Sequence, residues 1–390
     1  MRVTHVITRL IVGGAQENTI ASVLGLRAKP AVQSRLISGP STGPEGSLES
    51  AFADFPQILT IVPELVRPVH PWKDWHAWRR LVTIFRRDKP DLVHTHSGKA
   101  GVLGRLAAAR AQVPLIVHTI HGPSFGPFQG PAANWLFRSA ERRAGRVTTH
   151  FVTVADAMRD QYLAAGIGKP ASYTRIFSGF PLDPFLSASN DPKLRARYGI
   201  RPDDIVVGKI ARLFKLKGHD DLFAVAPELV RREPRLKFLL VGDGPWRARF
   251  ETMARAQSLQ NHFVFTGLVA PAEIAPLLGI MDMLVHLSLR EGLPRALPQA
   301  LAAGRPIIAY DCDGAREVCL DGQTGILLRP GDLSGLSAAI LRLAADETLR
   351  RGFGERGREF VRERFGVERM VDDLYALYMK LAAGSPRVVA

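Results

Sequence analysis

The chain has 390 residues, 46% of them hydrophobic and 23% charged, with a formal net charge of +15. That length exceeds what one hydrophobic core fills, so two domains are expected, while two cysteines, Cys312 and Cys319, make neither a disulfide scaffold nor a four-ligand zinc site. No apolar run reaches the ~18–20 residues of a membrane helix, and the N-terminus MRVTHVITRLIVGGAQ is too broken by charge and Gly-Gly for a signal peptide, so the expectation is a cytoplasmic protein that meets a membrane only at its surface.

In chain order the pattern alternates strand and helix, the arrangement of doubly wound parallel sheets. The first strand is expected near Val3–Thr8 and the first helix near Ala15–Leu26. Between them, Gly13 and Gly14 let the backbone approach a phosphate at a helix start. The same pair also suits an ordinary tight turn, and the third glycine of the dinucleotide fingerprint is missing. Further strands are expected near Arg35–Ser38, Ile58–Val62, Leu92–Thr95, Leu115–Thr119 and Phe151–Val154, with helices near Trp75–Arg87, Lys99–Ala111, Ala132–Ala144 and Asp156–Ala165.

From Arg67 to Arg146 there are 14 Lys/Arg and 4 Asp/Glu, a net of +10 that points to an acidic partner, nucleic acid or an anionic membrane surface. Trp75, Trp78, Val82 and Phe85 fall on one helical stripe, with Arg79, Arg80, Arg86 and Arg87 elsewhere. Such a helix either buries its stripe on a sheet or rests on lipid. His94, His96, His118 and His121 lie within 28 residues, but their spacing fits no standard ligand set and no metal is expected.

A stretch of prolines and small polar residues from Phe177 to Pro192 marks the domain boundary, giving domains near 1–180 and 190–360. The second half restarts with strands near Ile205–Ile210, Lys237–Val241, Phe263–Thr266, Met283–Leu287, Pro306–Tyr310 and Ile326–Leu328. Helices are expected near His219–Arg232, Pro245–Gln257, Ala272–Leu278 and Leu297–Ala303, then a long final one near Val367–Leu381. Arg212 and Lys217 would project from the end of a strand, where open α/β sheets bind ligands. Gly242-Asp243-Gly244-Pro245 and Thr266-Gly267-Leu268 end the next two strands. Glu291 enters the turn Gly292-Leu293-Pro294 before a small-residue helix that Pro298 forbids to start earlier than about Arg295. Asp311-Cys312-Asp313 imitates a metal-binding Asp-x-Asp but reads as a loop.

The order of these motifs resembles the retaining GT-B glycosyltransferases, the group that includes glycogen synthases, phosphatidylinositol mannosyltransferases and capsule-building transferases. The resemblance implies two doubly wound Rossmann-like domains facing a central cleft, with the final helix, about 365–382, crossing back onto the first. It implies sugar transfer from a UDP- or GDP-linked donor to a lipid-linked or saccharide acceptor, with retention, no metal and no cofactor. Nucleic acid is then not expected as a partner, whereas an anionic membrane surface at the inner face remains one. By the same resemblance Arg212 and Lys217 hold the diphosphate and Glu291 the sugar hydroxyls, while His121 donates a hydrogen bond to the transferred sugar. Gly13, Gly14, Gly242, Asp243, Gly267, Leu268, Gly292, Leu293 and Pro294 would line the donor, and Glu317 would brace the site. The chain departs from the family at Gln299, where a second glutamate binds the ribose; a neutral amide there loses about 1–2 kcal/mol of charge assistance. Alternatives kept open are a sugar-nucleotide 2-epimerase of the same fold and a non-catalytic membrane- or nucleic-acid-binding relative.

Overall fold

The computed structural model describes residues 1–41, 46–126 and 128–385. Contacts divide the chain into one unit of Met1–Phe180 with Val367–Ala390 and a second of Pro181–Gly366. The first unit holds strands β1 (Arg2–Ile7), β2 (Gln33–Ser38), β3 (Leu59–Ile61), β4 (Leu92–His96), β5 (Leu115–Ile120), β6 (His150–Thr153) and β7 (Tyr173–Arg175). Its helices are α1 (Gly14–Arg27), α2 (Pro71–Asp88), α3 (Gly98–Arg110), α4 (Pro131–Gly145) and α5 (Asp156–Ala164). The strands form one parallel sheet in the order β3-β2-β1-β4-β5-β6-β7. Its direction of winding reverses between β1 and β4, and the central strands β4 and β5 are buried along their whole length, as expected of strands covered on both faces.

The second unit contains β8 (Ile205–Ile210), β9 (Leu236–Val241), β10 (Phe263–Gly267), β11 (Met283–His286), β12 (Ile307–Tyr310) and β13 (Gly325–Leu328), ordered β10-β9-β8-β11-β12-β13. Its helices are α6 (Asp183–Leu186), α7 (Pro192–Arg197), α8 (His219–Arg232), α9 (Arg247–Ala256), α10 (Ile274–Gly279), α11 (Ala296–Ala302), α12 (Leu333–Ala345) and α13 (Glu347–Arg364). Its core joins Val207, Phe223, Phe238, Phe250 and Phe263 with Met283, Ile308 and Leu336. Here the winding reverses between β8 and β11, the position at which open sheets carry their ligand crevice.

The last helix, α14 (Val367–Ala383), belongs to the first unit. Val371, Leu374 and Tyr378 bury with Val3, Leu26 and Val117, and a Cβ on Gly25 would come within 2.5 Å of Val371, so α1 and α14 pack at close range. Helix α2 begins at Pro71, four residues before the expected start, because proline suits the first turn and the His70 ring accepts from the Lys73 N–H. Its stripe divides: Val82 and Phe85 enter the core with Trp78 against them, whereas Trp75 remains exposed beside Trp72. Among the described residues no helix is long and apolar enough to cross a membrane.

Candidate functional site

In the second unit four loops gather at the C-terminal ends of adjacent strands. The loop after β8 carries Arg212 and Lys217, and the loop after β11 carries Glu291. They meet at the winding reversal, where Lys217 Nζ donates to Glu291 Oε1 at 2.5 Å. Two residues 74 positions apart, expected to serve phosphate and sugar separately, are thus an ion pair. Burial alone would raise the Glu291 carboxyl; the neighbouring His286 and Lys217 outweigh it and bring it down to about 2. His286 ends β11, is buried, and stands 3.5 Å from the same oxygen. Arg212 is exposed, its guanidinium 5.7 Å from the Phe214 ring centroid.

The glycines hold these loops by allowing backbone contact. Gly218 adopts φ +65, and a Cβ there would meet the Leu287 carbonyl oxygen at 2.0 Å. Gly242, at φ +129, lies against the Ala211 carbonyl, and Leu213 N–H donates to Asp243 O at 3.0 Å, so the turn after β9 fixes the Arg212 loop. Gly242 N–H donates in turn to Gly267 O at 3.2 Å, and Leu268 beyond it is exposed. Gly292, Leu293 and Pro294 are buried, and α11 starts at Ala296 in accord with the limit set by Pro298. It is a short helix of 7 residues. Gln299 on it is half-buried; its backbone N–H donates to Arg295 O at 3.2 Å, and its side-chain amide has no hydrogen-bond partner among the described residues.

The Glu291 turn is braced by the segment that follows β12. Asp313 accepts from the Glu291 N–H at 2.7 Å, and Gly314 N–H donates to Gly292 O at 3.0 Å. Of the Asp-x-Asp segment, Asp311 and Cys312 lie in a loop as read, with Asp311 paired to Arg316, whereas Asp313 opens a short 3-10 helix (Asp313–Glu317) and holds the Glu291 turn. Lys209, on β8 beneath it, was not singled out by any motif. Its side chain is fully buried and its amine lacks a hydrogen-bond partner among the described residues; burial, aided by Lys217, pushes it down to about 7 against the pull of Glu291 and Asp221.

In the first unit Gly13 caps α1 in an extended conformation and Gly14 opens the helix. His121 follows β5 and bonds through Nε2 to His96 Nδ1 at 3.1 Å. His96 Nε2 bonds to His5 Nδ1 at 3.0 Å, and His94 bonds to Thr119 and to Tyr378 of α14. His118 lies apart from this stack, bonded to Thr95. His5, His94 and His96 bring one nitrogen each within 4.8 Å of one another. Of their six ring nitrogens only His5 Nε2 lacks a partner among the described residues, so the cluster as it stands is a hydrogen-bonded row. Burial pushes His5 down to about 3 and holds His94 and His96 well below the ordinary imidazole value.

Comparison with known proteins accounts for both units. The family described as Glycosyl transferases group 1 matches residues 190–360, and the Glycosyl transferase 4-like domain matches 23–176. EpsD of Bacillus subtilis, itself assigned to the glycosyltransferases, is 30% identical over 315 residues, covering 78% of this chain and 81% of EpsD. The chain belongs to the family-four glycosyltransferases. A GDP-mannose-dependent phosphatidylinositol monomannoside mannosyltransferase of Mycolicibacterium smegmatis is 32% identical over 67% of this transferase and 68% of its own length. The fold is GT-B: the crystal structure of Anabaena HepE in complex with UDP-glucose matches with a TM-score of 0.81 at 21% identity, covering 97% of this transferase and all of HepE. Nucleotide-sugar-dependent glycosyl transfer in polysaccharide or glycolipid synthesis is the activity of this group.

Proposed function

We propose that the enzyme moves a sugar from a UDP- or GDP-linked donor to a lipid-linked or saccharide acceptor, with retention of anomeric configuration and without a metal ion. The carrying observation is the Lys217–Glu291 pair at the β8/β11 reversal, with Arg212 on the adjoining loop. An ammonium has three N–H donors and Glu291 takes one, so Lys217 keeps donors for phosphate oxygens, beside the planar fork of Arg212. Together they neutralise the departing diphosphate, a task that metal ions perform elsewhere. Glu291, held ionised, accepts from sugar hydroxyls, and Gln299 bonds the ribose. Gly242, Asp243, Gly267 and Leu268 meet the nucleoside, while Gly292, Leu293 and Pro294 shape the turn beside the diphosphate. In the first unit Gly13 and Gly14 approach the donor, and His121 donates a hydrogen bond to the transferred sugar. Retention follows from front-face attack with the donor phosphate as base. The donors named for HepE and the mannosyltransferase, and the lipid acceptor of the latter, support this substrate class.

Incubation with UDP-glucose, GDP-mannose and related donors tests the reading through acceptor-dependent nucleotide release in the presence of EDTA, with the product anomer assigned by NMR. Arg212→Ala and Lys217→Ala are each expected to lower kcat by on the order of 10²–10³. Full activity in either variant, or an epimerised sugar formed without acceptor, overturns it.

The acceptor side fits an anionic membrane. Trp72 is 66% exposed on α2, which also carries the exposed arginines 79 and 80, and Trp135 is 70% exposed on α4, which carries the exposed arginines 142 and 143. Indole rings and basic side chains together favour an anionic interface. Sedimentation with anionic vesicles that is unchanged after replacing both tryptophans and the four arginines of α2 defeats this part.

A further inference from the structure

The histidines behind His121 form a chain with an unusual constraint. His5 Nδ1 meets His96 Nε2 at 3.0 Å, and His96 Nδ1 meets His121 Nε2 at 3.1 Å. The rings of His5 and His96 lie nearly parallel, 13° apart, and those of His96 and His121 29° apart, so the three share one edge-to-edge row. Register sets the row: His5 pairs with His94 across β1 and β4, and His96 with Thr119 across β4 and β5, which brings residues 5, 96 and 121 to the same face. Immediately after His96, Ser97 holds φ 67 and ψ 165, a region that residues other than glycine occupy only when the surroundings compel it. Its carbonyl accepts from Gly101 N–H at 2.9 Å, which anchors the turn that sets the His96 ring.

A neutral imidazole has one donor nitrogen and one acceptor nitrogen, so the roles along such a row are linked. If His5 donates through Nδ1, His96 must accept at Nε2 and donate at Nδ1, and His121 must accept at Nε2 and carry its proton on Nδ1. If the direction is reversed, His5 carries its proton on Nε2. That atom is fully buried and has no partner among the described residues, and an N–H orphaned in a protein interior is rarer than an acceptor left unfilled. We infer that His5 and His96 are positioning residues that lock His121 into the Nδ1–H tautomer, so that its Nδ1 acts as a hydrogen-bond donor to the transferred sugar. The inference rests on the reading of His121 given under Proposed function, and deepens it by assigning which nitrogen donates and what fixes it.

Long-range proton–nitrogen NMR of the full-length enzyme labelled with ¹⁵N-histidine reads the tautomer directly, since protonated and bare ring nitrogens resonate far apart. Wild type is expected to show His121 protonated at Nδ1 alone. His96→Leu removes the donor to His121 and is expected to average its two tautomers and to lower kcat about tenfold, the worth of one hydrogen bond, with KM for the donor little changed. His96→Asn places an amide N–H near the position of Nδ1 and is expected to restore the single tautomer and most of kcat. His5→Phe provides the same test one ring further back should the Leu variant fold poorly. Protonation of His121 on Nε2 in the wild type, or a His96→Leu enzyme with the wild-type tautomer and rate, overturns the inference. An intact tautomer with a fully active His121→Ala enzyme instead refutes the sugar contact.

Discussion

Lys209 offers the sharpest energetic test of the second unit. Its side chain lies in β8 at 1% exposure with no hydrogen-bond partner among the described residues, and the alternation of the strand puts it on the same side as the core residues Ile205 and Val207. Burial lowers its ammonium from 10.5 to about 7. At about 1.4 kcal/mol per pH unit, that displacement means the folded protein bears a penalty of roughly 5 kcal/mol whenever the amine is charged in both states. The sign follows from proton counts. Below pH 7 folded and unfolded chains both hold the proton, so the penalty stands in full. Between 7 and 10.5 the unfolded chain holds a proton the folded one has released, so stability rises with pH. Lys209→Met keeps the length of the side chain and removes the charge, and is expected to stabilise the second unit by about 2–4 kcal/mol at pH 7 after imperfect packing is allowed for. Wild type should gain about 2–3 kcal/mol between pH 7 and 9, and the variant should not. Urea unfolding followed by circular dichroism at both pH values measures all four quantities. A variant less stable than wild type at pH 7, or a difference between the two proteins that is the same at pH 7 and 9, refutes the reasoning.

Two further expectations concern the rest of the molecule. Gln299→Glu restores a carboxylate at a half-buried, unbonded amide, and should tighten nucleoside diphosphate binding about tenfold in a calorimetric titration; no change in Kd counts against a ribose contact at that position. The first unit should be acid-labile. His5, lowered to about 3 by burial, and His94, His96 and His118, lowered with it, stay neutral when folded and take up protons when unfolded. Their folded values lie below the unfolded 6.5, so stability is full above that pH and falls as pH drops, by about 2 kcal/mol at pH 5 for His5 alone. A melting temperature for the first unit that is level from pH 7 to 5 contradicts this.

Why some of this could be read from residues and some could not has a physical pattern. Buried parallel strands are near-continuous apolar runs, so Ile205–Ile210 was placed to the residue, and the motif residues at strand ends were found because Gly, Pro and charge interrupt those runs. Strand β7 escaped because Tyr173–Arg175 is a three-residue edge strand that is nowhere fully buried, leaving no apolar run to see. Pairing across strands is a different matter. That Lys217 would reach Glu291 depends on β8 and β11 being neighbours, with β9 and β10 on the far side of β8, and strand order is not written in any local window. Asp313 was passed over for the same reason, because its partner is a backbone N–H 22 residues away. His5 is the extreme case: within Val3–Ile7 it sits beside Thr4 as a polar pair in an otherwise apolar strand, which looks like an exposed position of an edge. Only the register of three strands turns it into the far end of a hydrogen-bonded row, and its complete burial there leaves His96, rather than water, as the partner of its Nδ1. The residues most open to sequence reading are therefore those that would touch the substrate, and those least open to it are the ones that hold them in place.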